Sequence, residues 1–231
     1  MSIQVRPLSS LDEIAAADAV FDQVWHAPDR ERLPRELLRA MTAHTNLLIG
    51  AFDGDTCVGV VTGWWGRDDD AAVWLWSARL GVLESHRRAG VATTLKREQA
   101  RVALERGVNE IRWTFDPMRA RNAAFNMRTL GARAIAYLDD VYGPRQDRFN
   151  AGERTDRLLV SWTPHRPAPA GNPPLTRVRV PAGIDEYLSW PMDRRRDERD
   201  RVRRQMRSAF EAGLVVTGFE PPGTYLFGGI A

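Results

Sequence analysis

The sequence predicts an α/β fold, a mixed sheet with helices on its faces, followed by a small C-terminal α/β appendage. Three observations predict it. Runs rich in β-branched and aromatic residues alternate with segments whose apolar residues recur at helical spacing. The run LLIGAFDGDTCVGVVTGWWG, residues 47 to 66, holds an Asp-Gly pair between two strand-like halves, the chemistry of a tight antiparallel turn. The segment HRRAGVATTLK, 86 to 96, breaks a strand-like run with two arginines and a glycine just before a helical pattern.

In chain order, residues 3 to 8 read as a short strand. Ser10 ahead of Leu11-Asp12-Glu13 reads as a helix cap with acids in the first turn, and that helix runs to about His26. Pro34 opens a second helix over 34 to 45, since proline is tolerated in a first turn. The hairpin turning at Asp53-Gly54 follows, then a strand AVWLWSARLGV at 72 to 82. From Gly90 to Gly107 the pattern is helical, with Val91, Leu95 and Val102 in one stripe and Gly107 as the stop. EIRWTF, 110 to 115, is a strand, and Asp116-Pro117 starts a helix that runs through Leu130 and ends at Gly131. ARAIAYL and RLLVSW are two further strands. Five prolines between 164 and 174 favour a stiff, extended connector. The predicted organisation is therefore a main domain over 1–163, a linker over 164–174 and a C-terminal subdomain over 175–231. In the last, RVRV is a strand, 193 to 212 is a helix with Val202, Met206 and Phe210 along one side, and LVVTGF with TYLF closes a hairpin.

Bulk properties exclude several classes. A 43% hydrophobic and 27% charged composition suits a globular core. A net charge of +3, with arginines interleaved among acids, argues against nucleic acid as a partner. Eight arginines between 194 and 207 are offset by Asp193, Asp197, Glu198 and Asp200 at helical spacing, so that face is read as solvated. Among 33 basic residues only Lys96 is a lysine, which is read as compositional bias. The single cysteine, Cys57, lies in an alternating apolar run and suits a buried strand position in a reducing compartment. The N-terminal residues lack a basic start with an apolar core, and no run approaches 18 apolar residues, so a cytoplasmic protein with no membrane partner is expected. No metal is expected.

The segment Arg87-Arg88-Ala89-Gly90-Val91-Ala92 fits diphosphate binding. Such a site needs converging backbone N–H groups, a positive helix end and no side chain between backbone and ligand. Gly90 allows close approach and Ala92 keeps the helix start small. The context then carries a resemblance. A strand, an Arg-x-x-Gly-x-Ala loop and a helix, followed by a strand and a helix ending in Leu-Gly, resemble the GNAT superfamily of acyl-CoA-dependent N-acyltransferases. The resemblance covers roughly residues 3 to 163 and is strongest over LGVLESHRRAGVATTL and RNAAFNMRTLGA. It implies a mostly antiparallel sheet flanked by helices. It also implies that Leu80, Gly81 and Val82 offer backbone groups to the pantetheine arm of coenzyme A, and that the N–H groups of Arg88 to Thr93 hold its pyrophosphate. Asn122 and Asn126, four apart on one helical face, are candidates for coenzyme contact or for plain solvation. More narrowly, WTFDPMRARNAAFNMRTLGARAIAYLDDVYG with NAGERTDRLLVSW is similar to bacterial predicted acetyltransferases associated with amino-acid N-acylation. The implied function is transfer of an acetyl or succinyl group from coenzyme A to the amine of a small molecule, such as an amino acid.

The sequence also departs from the pattern. Many members carry a tyrosine, the general acid, where this chain has Met127. Tyr142 is the catalytic replacement expected here, with Tyr137 as the other candidate. Residues 76 to 79 read Trp-Ser-Ala-Arg where the narrower group is histidine-rich. A carboxylate acting through water is expected to take the amine proton. Glu84 is the candidate, with a solvated loop as its other reading, and Asp116 is either a second base or a helix cap. His86 abuts the loop and is expected to face solvent or phosphate. Trp74 and Trp76 share a strand face; with Trp113 they are core, or Trp76 lines an acceptor or acyl pocket. Asn150, Asp156 and Arg157 are placed to bind the acceptor, or serve turn chemistry. The C-terminal unit either covers the acceptor side or makes a homodimer contact. The alternative function is a catalytically impaired member that binds acyl-CoA or regulates.

Overall fold

The structure is a computed structural model and describes residues 3–25, 33–45, 47–143, 152–165 and 173–229. Contacts divide the chain into two compact units, Met1–Ile111 and Arg112–Ala231.

The first unit is a four-stranded antiparallel sheet in the order β1-β2-β3-β4 with helices on both faces. Its strands are β1 (Ile3–Pro7), β2 (Leu48–Asp53), β3 (Thr56–Arg67) and β4 (Val73–Val82). Helices α1 (Leu11–Trp25) and α2 (Arg35–Thr45) pack on one face, and α3 (Val91–Leu104) covers the other. Neighbouring residues of β3 show the division. Gly59 faces Leu95 and Val91 of α3, whereas Val60 joins Phe21 and Val20 of α1 and Leu38 of α2 in the core. The N-terminus of α1 is held as the sequence predicts. Glu13 N–H donates to Ser10 Oγ at 3.2 Å, and Ser10 N–H donates back to Glu13 Oε2 at 2.9 Å. This reciprocal capping box satisfies two donors that an open helix end would leave bare. The hairpin turn falls one residue later than expected, on Gly54-Asp55, with Gly54 at φ +58°.

The second unit begins with β5 (Ile111–Phe115), whose first residue is at the division, and its strands run in the order β5-β7-β6-β9-β10-β8. These are β6 (Arg133–Leu138), β7 (Arg157–Trp162), β8 (Thr176–Arg179), β9 (Val215–Glu220) and β10 (Thr224–Gly228). The helix expected from Asp116 to Leu130 is shorter and irregular. It consists of α4 (Ala120–Ala124) continued by a π turn, Phe125–Thr129. A short helix not foreseen in the sequence, α5 (Ile184–Ser189), precedes the long α6 (Met192–Glu211).

The expected boundary at 164–174 differs from the division by compactness. Residues 175–231 lie in the same unit as 112–163, because β9 pairs antiparallel with β6 through Ala134 and Val216. Most of the proline-rich stretch, residues 166–172, lies outside the described residues. The arginine-rich face of α6 is not simply solvated either. Arg195 and Arg199 are buried because they meet carboxylates from other elements.

Candidate functional site

Two elements of the first unit, β4 and α3, position the loop. After β4 a single 3₁₀ turn, Glu84–His86, leads through Arg87 to Gly90 and into α3. Gly90 sits at φ +80° and Arg88 at φ +69°, both left-handed. Glycine adopts this backbone without steric cost, so the turn into α3 requires it. A Cβ placed on Gly90 meets no heavy atom within 4 Å; the space over it is open, and only the backbone conformation disfavours a side chain. No side chain caps α3, and Thr94 N–H donates to the Gly90 carbonyl at 3.0 Å as the first helical bond. The N–H groups of Val91, Ala92 and Thr93 therefore lack partners within the helix. Arg88, Ala89 and Gly90 are exposed beside them. Open donors at the positive end of a helix are what an anion such as a diphosphate requires.

Side chains around the loop are tied back onto the fold. Arg87 Nε donates to the Val82 carbonyl at 3.2 Å. The His86 ring is held between Ser85 Oγ at 2.8 Å and Asp53 Oδ2 at 3.4 Å, so it braces the β2–β3 hairpin rather than facing a phosphate. Glu84 is exposed in the 3₁₀ turn, on the loop side of Leu80–Val82.

Within β4, Leu80, Gly81 and Val82 pair with Val61, Val60 and Gly59. Gly81 has a packing reason as well, since a Cβ there would lie 2.6 Å from the Trp25 ring of α1. Register shifts between Thr62 and Gly63, which pair with Arg79 and Ser77, so Ala78 is the extra residue of a bulge. Trp76 is half-buried between Trp64, stacked at 6.5 Å, and Trp74, edge-on at 6.0 Å. On the other face, Lys96 of α3 is buried and donates through Nζ to Ser77 Oγ at 2.9 Å and Gln99 Oε1 at 3.3 Å. Burial holds its amine well below the ordinary lysine range. Cys57 is a buried core thiol that burial pushes up to about 11, the opposite of what a nucleophile needs.

In the second unit, Asn122 lies in α4 and Asn126 in the π turn that continues it. The first is exposed and the second buried, so the two differ in burial although they are four residues apart. Met127 is buried in the same turn. Asp116 is a cap and an ion-pair partner. Its Oδ1 accepts Met118 N–H at 2.9 Å and Arg199 Nη1 at 3.1 Å. Burial alone would raise its pKa, but the charges of Arg199 and Arg157 outweigh burial and hold it below the usual carboxylate value. A carboxylate engaged in this way is not available as a base.

Asp156, expected to contact the acceptor, is fully buried and spent on the fold. It accepts Tyr137 Oη at 2.8 Å, Arg203 Nη2 at 2.7 Å and Asp140 N–H at 3.1 Å. Tyr137 is thereby removed as an acid, because burial and the Asp156 charge push its phenol far up. Asn150 lies outside the described residues. Tyr142 stands in a turn rather than a strand and is 48% exposed. Its N–H donates to Thr155 Oγ1 at 2.8 Å, and its Oη lies 3.1 Å from Thr114 Oγ1 of β5. The Arg157 guanidinium sits 5.3 Å from the centre of its ring. Thr114, Thr155, Arg199 and Arg203 carry this arrangement, and sequence reasoning missed all four. The only available signal was the four-residue spacing of Arg199 and Arg203 on α6. Among the described residues no group of three or more His, Cys, Asp or Glu side chains could hold a metal ion, and no helix is long and apolar enough to cross a membrane.

The family model described as "Acetyltransferase (GNAT) family" matches residues 11–132, just over half of the chain, from the start of α1 to just past the π turn. The chain belongs to the GNAT acetyltransferase family. Members are enzymes that transfer an acyl group from coenzyme A, and the α/β fold is theirs. Solved structures agree on the fold at low identity. A putative GNAT acetyltransferase from Desulfovibrio desulfuricans is 13% identical, with TM-score 0.54 over 70% of this chain and 99% of that one. The ribosomal-protein-S18-alanine N-acetyltransferase from Escherichia coli is 14% identical, with TM-score 0.53 over 74% and 99%. A chain of the NatC complex bound to Gag peptide and CoA is 14% identical, with TM-score 0.57 over 71% and 99%. No curated protein matches the sequence. In this GNAT chain the matched region covers β4, the Arg88–Gly90 loop and α3.

Proposed function

We propose that this GNAT acetyltransferase moves an acetyl or succinyl group from coenzyme A to the primary amine of a small molecule by direct attack. The uncapped N-terminus of α3 behind a left-handed Gly90 carries the reading. The backbone from Arg88 to Thr93 binds the pyrophosphate, and Leu80–Val82 orient the pantetheine arm along β4. The arm runs from the loop toward lower-numbered residues of that strand, so the acyl group lies beyond Leu80. Strand N–H groups there polarise its carbonyl. The amine nitrogen forms its bond to the carbonyl carbon, the carbon–sulfur bond breaks, and a general acid, for which Tyr142 is the candidate that the sequence offers, gives its proton to the departing sulfur. The Arg157 guanidinium over the ring supplies positive charge once that proton has left. A water takes the proton that the amine gives up and returns one to Tyr142. Glu84 has no part in this scheme, because it sits at the phosphate end of the arm. The protein acts in the cytoplasm.

One structural neighbour is named as a ribosomal-protein-S18-alanine N-acetyltransferase and another is bound to a Gag peptide and CoA, so a peptide is the competing acceptor. Thermal unfolding with acetyl-CoA and succinyl-CoA, followed by thiol release over small amines and peptides with a free N-terminus, tests it. Donor stabilisation with faster release from small amines is expected. Preference for peptides would overturn the small-molecule acceptor, and stabilisation without any release would favour an impaired binding protein. Tyr142→Phe should lower kcat by about a hundredfold with donor binding unchanged.

A further inference from the structure

We propose that the β3–β4 hairpin presents an acceptor-selecting wall of three tryptophans, and that the preferred acceptor is a primary amine bearing a flat aromatic group. The proposal rests on the path of coenzyme A given above, and its readout is chosen to be separable from it.

The wall follows from strand register. Trp64 lies directly across from Trp76, and Gly66 from Trp74, and residues opposed in an antiparallel pair share a face. Gly66 makes room for the arrangement. A Cβ there would stand 2.2 Å from the Trp74 ring, so the indole lies flat over the glycine backbone. Trp74 Nε1 donates to Asp68 Oδ1 at 2.7 Å, which fixes the ring from the turn side. Trp76 is wedged between its two neighbours, and Trp64 remains 43% exposed. Two indoles are therefore held by the fold and the third offers a face to solvent.

The position of the wall ties it to the reaction. Thr62, two residues before Trp64 on β3, touches Met41 of α2, whereas Ser77 meets Lys96 of α3. The wall therefore lies on the α1–α2 side of the sheet. Trp76 is four residues upstream of Leu80, about 13 Å along the strand, in the direction in which the acyl group extends. Charge then distinguishes the occupant. The turn beyond the wall reads Arg67-Asp68-Asp69-Asp70, three carboxylates against one guanidinium. An amine in water is a cation, which both the carboxylates and indole faces attract, whereas an acyl chain has no use for either. The carboxylates draw the cation toward this face, its ring stacks on the indoles, and the amine meets the acyl group from the Leu80 side once it has given up its proton.

The test titrates the protein, with and without coenzyme A, with 2-phenylethylamine and with n-butylamine, read by calorimetry. The aromatic amine should bind about tenfold more tightly. Trp64→Ala should remove that preference, Trp64→Phe should restore part of it, and thermal stabilisation by coenzyme A alone should be the same in all three proteins. Equal affinity for the two amines, or an unchanged preference in Trp64→Ala, overturns the proposal. Loss of coenzyme stabilisation in the unmodified protein would instead overturn the loop reading, and the titration without coenzyme would still decide the wall.

Discussion

Replacing Arg199 by methionine removes a cation that the structure places between two buried carboxylates of different elements, Asp116 after β5 and Glu153 before β7. Arg199 Nη1 and Nη2 reach the Asp116 oxygens at 3.1 and 3.4 Å, and its Nε reaches Glu153 Oε2 at 2.8 Å. The three side chains are 5%, 6% and 2% exposed, so water screens little of the interaction. Breaking a buried pair by deleting one partner costs about 3–5 kcal/mol, because the remaining charge stays buried with less compensation. With a urea m-value of about 1–3 kcal/mol/M, the midpoint should fall by roughly 1–5 M. The sign with pH follows from Asp116, whose pKa is held low in the folded protein. Its stabilising contribution is fully present above the unfolded carboxylate value and is lost as pH falls through the folded one. Without Arg199 the carboxyl protonates more readily, so the gap between variant and parent should narrow on acidification. Adding Asp116→Asn to Arg199→Met should recover part of the loss. An Arg199→Met variant within about 1 kcal/mol of the parent at pH 7, or a double variant with strictly additive losses, would refute the buried-pair account.

Further outcomes are expected elsewhere in the molecule. Gly90→Ala forces a side chain into the left-handed region at an open site, costing about 1–2 kcal/mol, and calorimetry should show weaker coenzyme A binding. Glu13 is held at about 2, chiefly by the backbone N–H groups of Ser10 and Ser9. Its contribution is therefore present above the unfolded glutamate value and fades as pH falls toward about 2, and Glu13→Gln should flatten the acid limb of a stability profile over that window. Ser10→Ala at the same cap should cost about 1 kcal/mol in urea unfolding. For Lys96 the sign is reversed. Its folded pKa is depressed by burial, so the unfolded chain binds more protons and stability rises with pH toward the ordinary lysine value. The stability of Lys96→Met relative to the parent should consequently improve as pH is lowered from about 10 to about 6, even though Ser77 and Gln99 each lose a partner.

Features that short-range chemistry encodes are legible along the chain. Ser10 and Glu13 are three residues apart and cap a helix through their own backbone. Gly54 turns a hairpin because it tolerates positive φ, and Gly90 turns β4 into α3 for the same reason. The anion-facing loop is contiguous in the chain, so HRRAGVATTLK was enough to point to it. Tertiary structure alone decided the fate of the charged and aromatic residues. Asp116 and Asp156 looked available because their partners, Arg199 and Arg203, are 83 and 47 residues away. Asn122 is exposed and Asn126 buried although their spacing makes them look equivalent, because packing around the π turn covers only the second. Trp64, Trp74 and Trp76 became a wall only when strand register set Gly66 opposite Trp74. Ion-pair partners and cross-strand neighbours are chosen by the packing of distant segments, and that information is not carried by spacing along the chain.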